Sequence, residues 1–159
     1  MSVVVGDEQT EVAIDADRWA QLAAAVLETE GRPGELTLTF VDRAEMAALN
    51  AEHLGKEGPT DVLSFPLDAD DDVVAGPTLL GDVVICPAVA AEAAPDHAGH
   101  LDDELALLTV HGVLHVLGHD HADDGERAVM QDRELALLVA HHFHGPPPTG
   151  FRLDHPEDA

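Results

Sequence analysis

Apolar and polar positions along this chain alternate between two periods. Leu36-Thr37-Leu38-Thr39-Phe40-Val41 repeats every second position, the pattern of a half-buried strand. Val62-Leu63-Ser64-Phe65 and Leu79 to Cys86 read as two more strands, and Glu11 to Ile14 as a first. Helical spacing takes over between them. Asp15 or Asp17 can cap a helix to about Thr29, with Trp19, Leu22, Val26 and Leu27 on its inner face and Gly31 and Pro33 ending it. Asp42 caps a short helix over Glu45 to His53 that stops at Gly55, and Pro87 starts a helix of small residues. Two longer helices run from about Asp102 to Leu117 and from about Asp123 to His142. Strands and helices interleave, predicting an α+β fold: a mixed sheet of about four strands packed with about five helices.

Composition changes this picture only at its edges. From about His144 the chain reads HGPPPTGFRLDHPEDA, too rich in Pro and Gly to build a packed element. We therefore expect one domain over 1–143 and a Pro-rich mobile tail over 144–159. The run Asp68-Ala69-Asp70-Asp71-Asp72 predicts a solvated acidic loop. Seven Lys+Arg against 32 Asp+Glu leave a net charge of −25, which argues against general affinity for nucleic acid or an anionic membrane. The single Cys86 makes no internal disulfide, and Val3-Val4-Val5 is far too short for a signal or membrane segment. The expectation is a cytoplasmic protein with no membrane partner.

The chemistry concentrates in Thr109-Val110-His111-Gly112-Val113-Leu114-His115-Val116-Leu117-Gly118-His119-Asp120-His121. His111 and His115 stand four apart in a helical context, so both imidazoles project from one face. Leu107, Val110, Leu114 and Leu117 form the neighbouring apolar stripe. Gly118 can take the left-handed conformation and turn the chain so that His121 comes back toward the pair. Three neutral nitrogens with an open fourth position suit Zn2+, or another divalent ion, at the end of this central helix. His119 reads as a solvated turn residue, and His141, His142 and His144 as the last turn of a helix. The spacing matches that of the metzincin proteases, which carry Glu directly after the first His as general base. Here that position is Gly112, so peptide hydrolysis is disfavoured.

The stretch from His111 to His121 resembles the signature of the YbeY family of bacterial ribosomal RNA maturation factors. Two further blocks resemble that family in the same order: Pro59-Thr60-Asp61-Val62-Leu63-Ser64-Phe65-Pro66 and Leu80-Gly81-Asp82-Val83-Val84-Ile85. The resemblance implies a single-strand-specific, metal-dependent endoribonuclease acting on ribosomal RNA precursors, notably at the 3′ end of the small-subunit RNA, and a part in ribosome quality control. It also implies His111, His115 and His121 as metal ligands, and small-subunit ribosomal proteins and a ribosome-associated GTPase as partners. Asp120 and Asp82 are candidate bases or groups that orient a ligand, and Thr60, Asp61 and Ser64 candidates to line a substrate groove beside Asp82.

Many family members carry an Arg four residues after the Asn that precedes the Pro-Thr-Asp block; counted from Asn50, that position is Leu54. His53 and Lys56 are the nearest cationic candidates: either Lys56 is a catalytic residue that steadies charge on phosphorus, or the metal does so, or nuclease activity is weak. Basic residues are few and scattered, so weak affinity for naked RNA and recruitment through protein partners are expected. Two other readings remain at this point: an assembly factor with a mainly structural zinc site, and a zinc-dependent hydrolase of another substrate.

Overall fold

The computed structural model describes residues 2–67, 78–120 and 123–153. Four strands, β1 (Ser2–Asp7), β2 (Glu35–Phe40), β3 (Val62–Pro66) and β4 (Leu79–Ile85), form one sheet in the order β1-β2-β4-β3. β1, β2 and β4 run parallel, and β3 closes the edge antiparallel to β4. Five helices pack on it: α1 (Ala16–Thr29), α2 (Arg43–Leu54), α3 (Pro87–Ala93), α4 (Leu101–Val116) and α5 (Asp124–Leu138), the last continued by one π turn, Val139–Phe143. The mixed α+β sheet is the architecture the hydrophobic periods predict.

The helix starts follow from local chemistry. Asp15, Asp42 and Asp123 each accept a hydrogen bond from a backbone N–H of the first turn, donated by Arg18, Glu45 and Glu126. Gly55 ends α2 in the left-handed conformation, φ 65°. Trp19, Leu22, Val26 and Leu27 are all buried, as their spacing requires.

The first strand corrects the sequence reading. Glu11 to Ile14 form no strand; β1 is Ser2–Asp7, paired residue for residue with β2. Its alternation of exposed Val4 with half-buried Val3 and Val5 is the pattern of an edge strand. The segment after it is a turn built around the buried amide of Gln9, which donates to Asp7 Oδ1 and Val12 O and accepts from Val12 N–H. With both its ends tied to one side chain, that stretch cannot extend.

α4 is the axis of the molecule. Beyond the expected stripe, Leu105, Ala106, Leu108, Thr109, Gly112 and Val113 are also buried, so this helix is enclosed by α1, α3, α5 and the sheet. Gly112 makes the close approach to the sheet possible, because a Cβ there would stand 2.6 Å from Val83 Cγ1. On the other face of the sheet, Met46 of α2 packs with Leu63, Val84 and Cys86. The tail assigned to 144–159 is packed at least as far as Leu153: Phe151 meets Phe143 edge-on at 5.2 Å, and Arg152 N–H donates to His97 O. Phe151 and Leu153 of the Pro-rich stretch find core partners that local sequence does not reveal. Residues 154–159 and the acidic run at 68–72 lie outside the described residues.

Candidate active site

A cavity of about 730 Å³ opens between α4 on one side and the end of α2 with the loop after it on the other, floored by β3. His111 and His115 occupy the α4 wall, their rings 4.7 Å apart and nearly perpendicular. Both are part-buried. Nδ1 of His111 lies 3.0 Å from Glu134 Oε2, and Glu134 on α5 is 3% exposed. The contact fixes the orientation of the His111 ring on the α4 wall. Pairing of an imidazole with a carboxylate is common where an imidazole serves a metal.

The turn expected after α4 is present. Gly118 has φ 104°, and the N–H groups of Gly118 and His119 close on His115 O and Leu114 O. His121, the third imidazole of the pattern, lies outside the described residues, and among the described residues no three His, Cys, Asp or Glu converge as a metal-binding group. His119 is drawn instead toward Glu30, at 3.9 Å. Glu30 takes a bidentate contact from Arg133, at 2.6 and 3.0 Å, and this guanidinium holds its carboxyl below the usual range. Arg32 donates to Leu117 O, so the loop after α1 braces the turn leading out of α4.

The groove candidates divide. Lys56, Thr60, Asp61 and Ser64 all line the cavity with the two histidines. Asp61 is 5% exposed, and Ser64 Oγ donates to Gly112 O at 3.2 Å, tying the floor to the wall. Asp82 does not join them. It pairs across from Phe65, while Ser64 pairs with Val83, the residue pressed against Gly112. Alternation therefore puts Asp82 on the face of the sheet turned away from α4. Asp120 is exposed; it is the least of the influences holding the Glu126 carboxyl above its ordinary range, of which the hydrogen bond with Asp123 is the first. Leu54 lies at the cavity mouth, half exposed.

Three site features escape sequence reasoning. Glu134 is one, although Met130, Glu134, Leu137 and Leu138 are the buried positions of α5, and a carboxylate in such an apolar stripe is the signal that marks it. His97 is another: this buried ring lines the cavity and meets both oxygens of the fully buried Glu104 at 2.8 Å. The third is the ring contact between His53 and Phe65 at the mouth, 4.9 Å between centroids.

Comparison with known proteins identifies relatives of the chain. The sequence profile of the family described as Endoribonuclease YbeY matches residues 4–142. The chain is 44% identical over 145 residues to endoribonuclease YbeY of Beutenbergia cavernae, covering 87% of this chain and 96% of that one. It is 45% identical over 151 residues to its namesake in Acidothermus cellulolyticus, covering 88% and 91%. A solution structure of a Thermotoga maritima protein shares the fold, with TM-score 0.62 and 23% identity over 89% of this chain and 90% of that one. These matches span the sheet, α4 with its two imidazoles and the cavity between them, and the chain belongs to the YbeY family of metal-dependent endoribonucleases that act in ribosomal RNA processing.

Proposed function

We propose that this endoribonuclease cuts single-stranded ribosomal RNA precursors, including the 3′ end of the small-subunit RNA, in the cavity beside α4. His111 and His115, with His121, hold one divalent ion there, Zn2+ by the softness and number of nitrogen donors. The observation carrying this reading is the Glu134–His111 contact, which orients the His111 ring on a cavity wall that also bears His115. Such an ion supplies Lewis acidity toward a phosphate oxygen and lowers the pKa of a water molecule. The protein's own groups do the rest. Lys56 faces the substrate phosphates from the opposite rim, Thr60, Asp61 and Ser64 shape the groove, and Asp120 orients the ligand turn.

The readings as a structural-zinc assembly factor or as a hydrolase of another substrate are not favoured by the family match. Four of the seven basic side chains are engaged by groups of the protein itself: Arg18 by Asp102, Arg43 by Glu92, Arg133 by Glu30 and Arg32 by Leu117 O. So little free positive charge supports delivery of the RNA by small-subunit ribosomal proteins and a ribosome-associated GTPase, in the cytoplasm where ribosomes assemble. No described helix is long and apolar enough to cross a membrane. The test is incubation of the metal-loaded protein with a single-stranded ribosomal RNA fragment beside a His111→Ala control. Discrete products from the parent alone are expected; equal cleavage by both proteins, or by neither, overturns the proposal.

A further inference from the structure

A chain of net charge −25 must hold a polyanion with little help from phosphate contacts. Among the described residues lining the cavity, Lys56 is the only Lys or Arg, against the carboxylates of Glu57, Asp61 and Glu134. Where backbone neutralisation is scarce, base stacking is the other general source of affinity for single strands, because every base offers a π-face.

The cavity mouth carries such a surface. His53, exposed in the last turn of α2, and Phe65 of β3 lie ring against ring, centroids 4.9 Å apart and planes inclined by 60°. Phe65 is the only Phe, Trp or Tyr among the described lining residues, and it is backed by the apolar cluster around Met46 and Leu63. The loop beside it is anchored. Asn50, 4% exposed, donates from Nδ2 to Gly58 O at 2.9 Å, and its backbone carbonyl accepts from Lys56 N–H at 3.3 Å. Gly55 and Gly58, both left-handed, let the chain bend around this amide and bring Lys56 to the rim where His53 stands. A ring pair and an ammonium-bearing side chain on one cavity lining are the elements of a single-nucleotide subsite.

We propose that the His53–Phe65 pair is a stacking platform for one unpaired nucleobase of the RNA, the base lying on the face of one ring and meeting the edge of the other, with Lys56 serving a neighbouring phosphate. The proposal deepens the single-strand reading on which it rests: a base laid on a protein ring has left its own helical stack, so a paired strand cannot use the platform. The platform accepts any base, since no hydrogen-bond readout is involved.

The experiment uses the metal-loaded full chain and a short single-stranded RNA, with one abasic site moved along it nucleotide by nucleotide. At one position the abasic site should raise KM about 10-fold or more while kcat changes little, the effect of losing one stacked base. In His53→Ala and in Phe65→Leu the intact RNA should itself lose affinity, and the abasic penalty should fall to about 2-fold or less. A parent insensitive at every position overturns the platform, as do variants that weaken intact and abasic RNA equally, the mark of a purely structural role. Binding of the same RNAs in chelator reads the platform without cleavage. A protein that cuts nothing yet shows the abasic penalty keeps the platform and refutes the proposed cleavage.

Discussion

Glu134 Oε2 stands 3.0 Å from His111 Nδ1 and thereby joins α5 to the wall of α4 that bears both described imidazoles. Carboxylates in this position fix tautomer and ring orientation, and their loss typically lowers metal affinity about 10- to 100-fold. Glu134→Ala should do the same here, read by competition with a chromophoric chelator. Unchanged affinity in a folded variant would remove Glu134 from the metal's surroundings.

His115→Ala is the more severe change. The ring is part-buried on the cavity side of α4 rather than in the core, so the fold should persist by circular dichroism. Metal content after dialysis and RNA cleavage should both vanish. Undiminished metal in the purified variant would contradict the assignment of His115 as a ligand.

Gly112 is a packing residue as well as a missing general base. A methyl group added there would meet Val83 Cγ1 at 2.6 Å and Ser64 Oγ at 3.4 Å. Gly112→Ala should therefore destabilise the protein by about 1–3 kcal/mol through overpacking, measured from the urea midpoint. Combining it with Val83→Ala, which makes room, should recover part of that loss as a favourable coupling between neighbours.

These residues show where the sequence is readable. Capping aspartates, the Gly55 and Gly118 turns and the spacing of His111 and His115 are local, because a few neighbouring residues determine each. Glu134 and His111 are 23 residues apart on different helices, and only the packing of α5 on α4 brings them together. Asp82 failed as a groove residue for the converse reason. Its neighbourhood in sequence is that of a site, but it lies on β4, one strand in from the edge strand β3 that floors the cavity, and its side chain does not reach the lining. The place of the first strand is not legible because Val3-Val4-Val5 is short and a buried Gln9 is invisible to hydrophobic period.

The Glu30–Arg133 pair makes stability depend on pH. Arg133 lowers the folded-state pKa of Glu30 below its ordinary value of 4.5. The contribution is thus whole at neutral pH and drains away as pH falls through the lowered folded value. Because Arg133 is 37% exposed, solvent screening limits the pair to about 1 kcal/mol or less. Arg133→Met should lie below the parent in urea midpoint at pH 7, and the gap should close as the solution is acidified through the lowered Glu30 value. A gap that stays constant through that range would assign the loss to packing instead.

Affinity for isolated RNA provides the last prediction. Each phosphate neutralised on a single strand adds about 0.7 to the slope of log affinity against log salt. Lys56 is the only Lys or Arg among the described lining residues, and four arginines elsewhere are held by the protein's own groups. Binding of a short single strand should therefore be weak, with a slope of magnitude about 1. Stacking on His53 and Phe65 is nearly insensitive to salt, so what affinity exists should survive moderate ionic strength. Tight binding with a slope of about −3 or steeper would reveal a cationic surface that the described residues do not provide. Delivery by a partner would then be unnecessary.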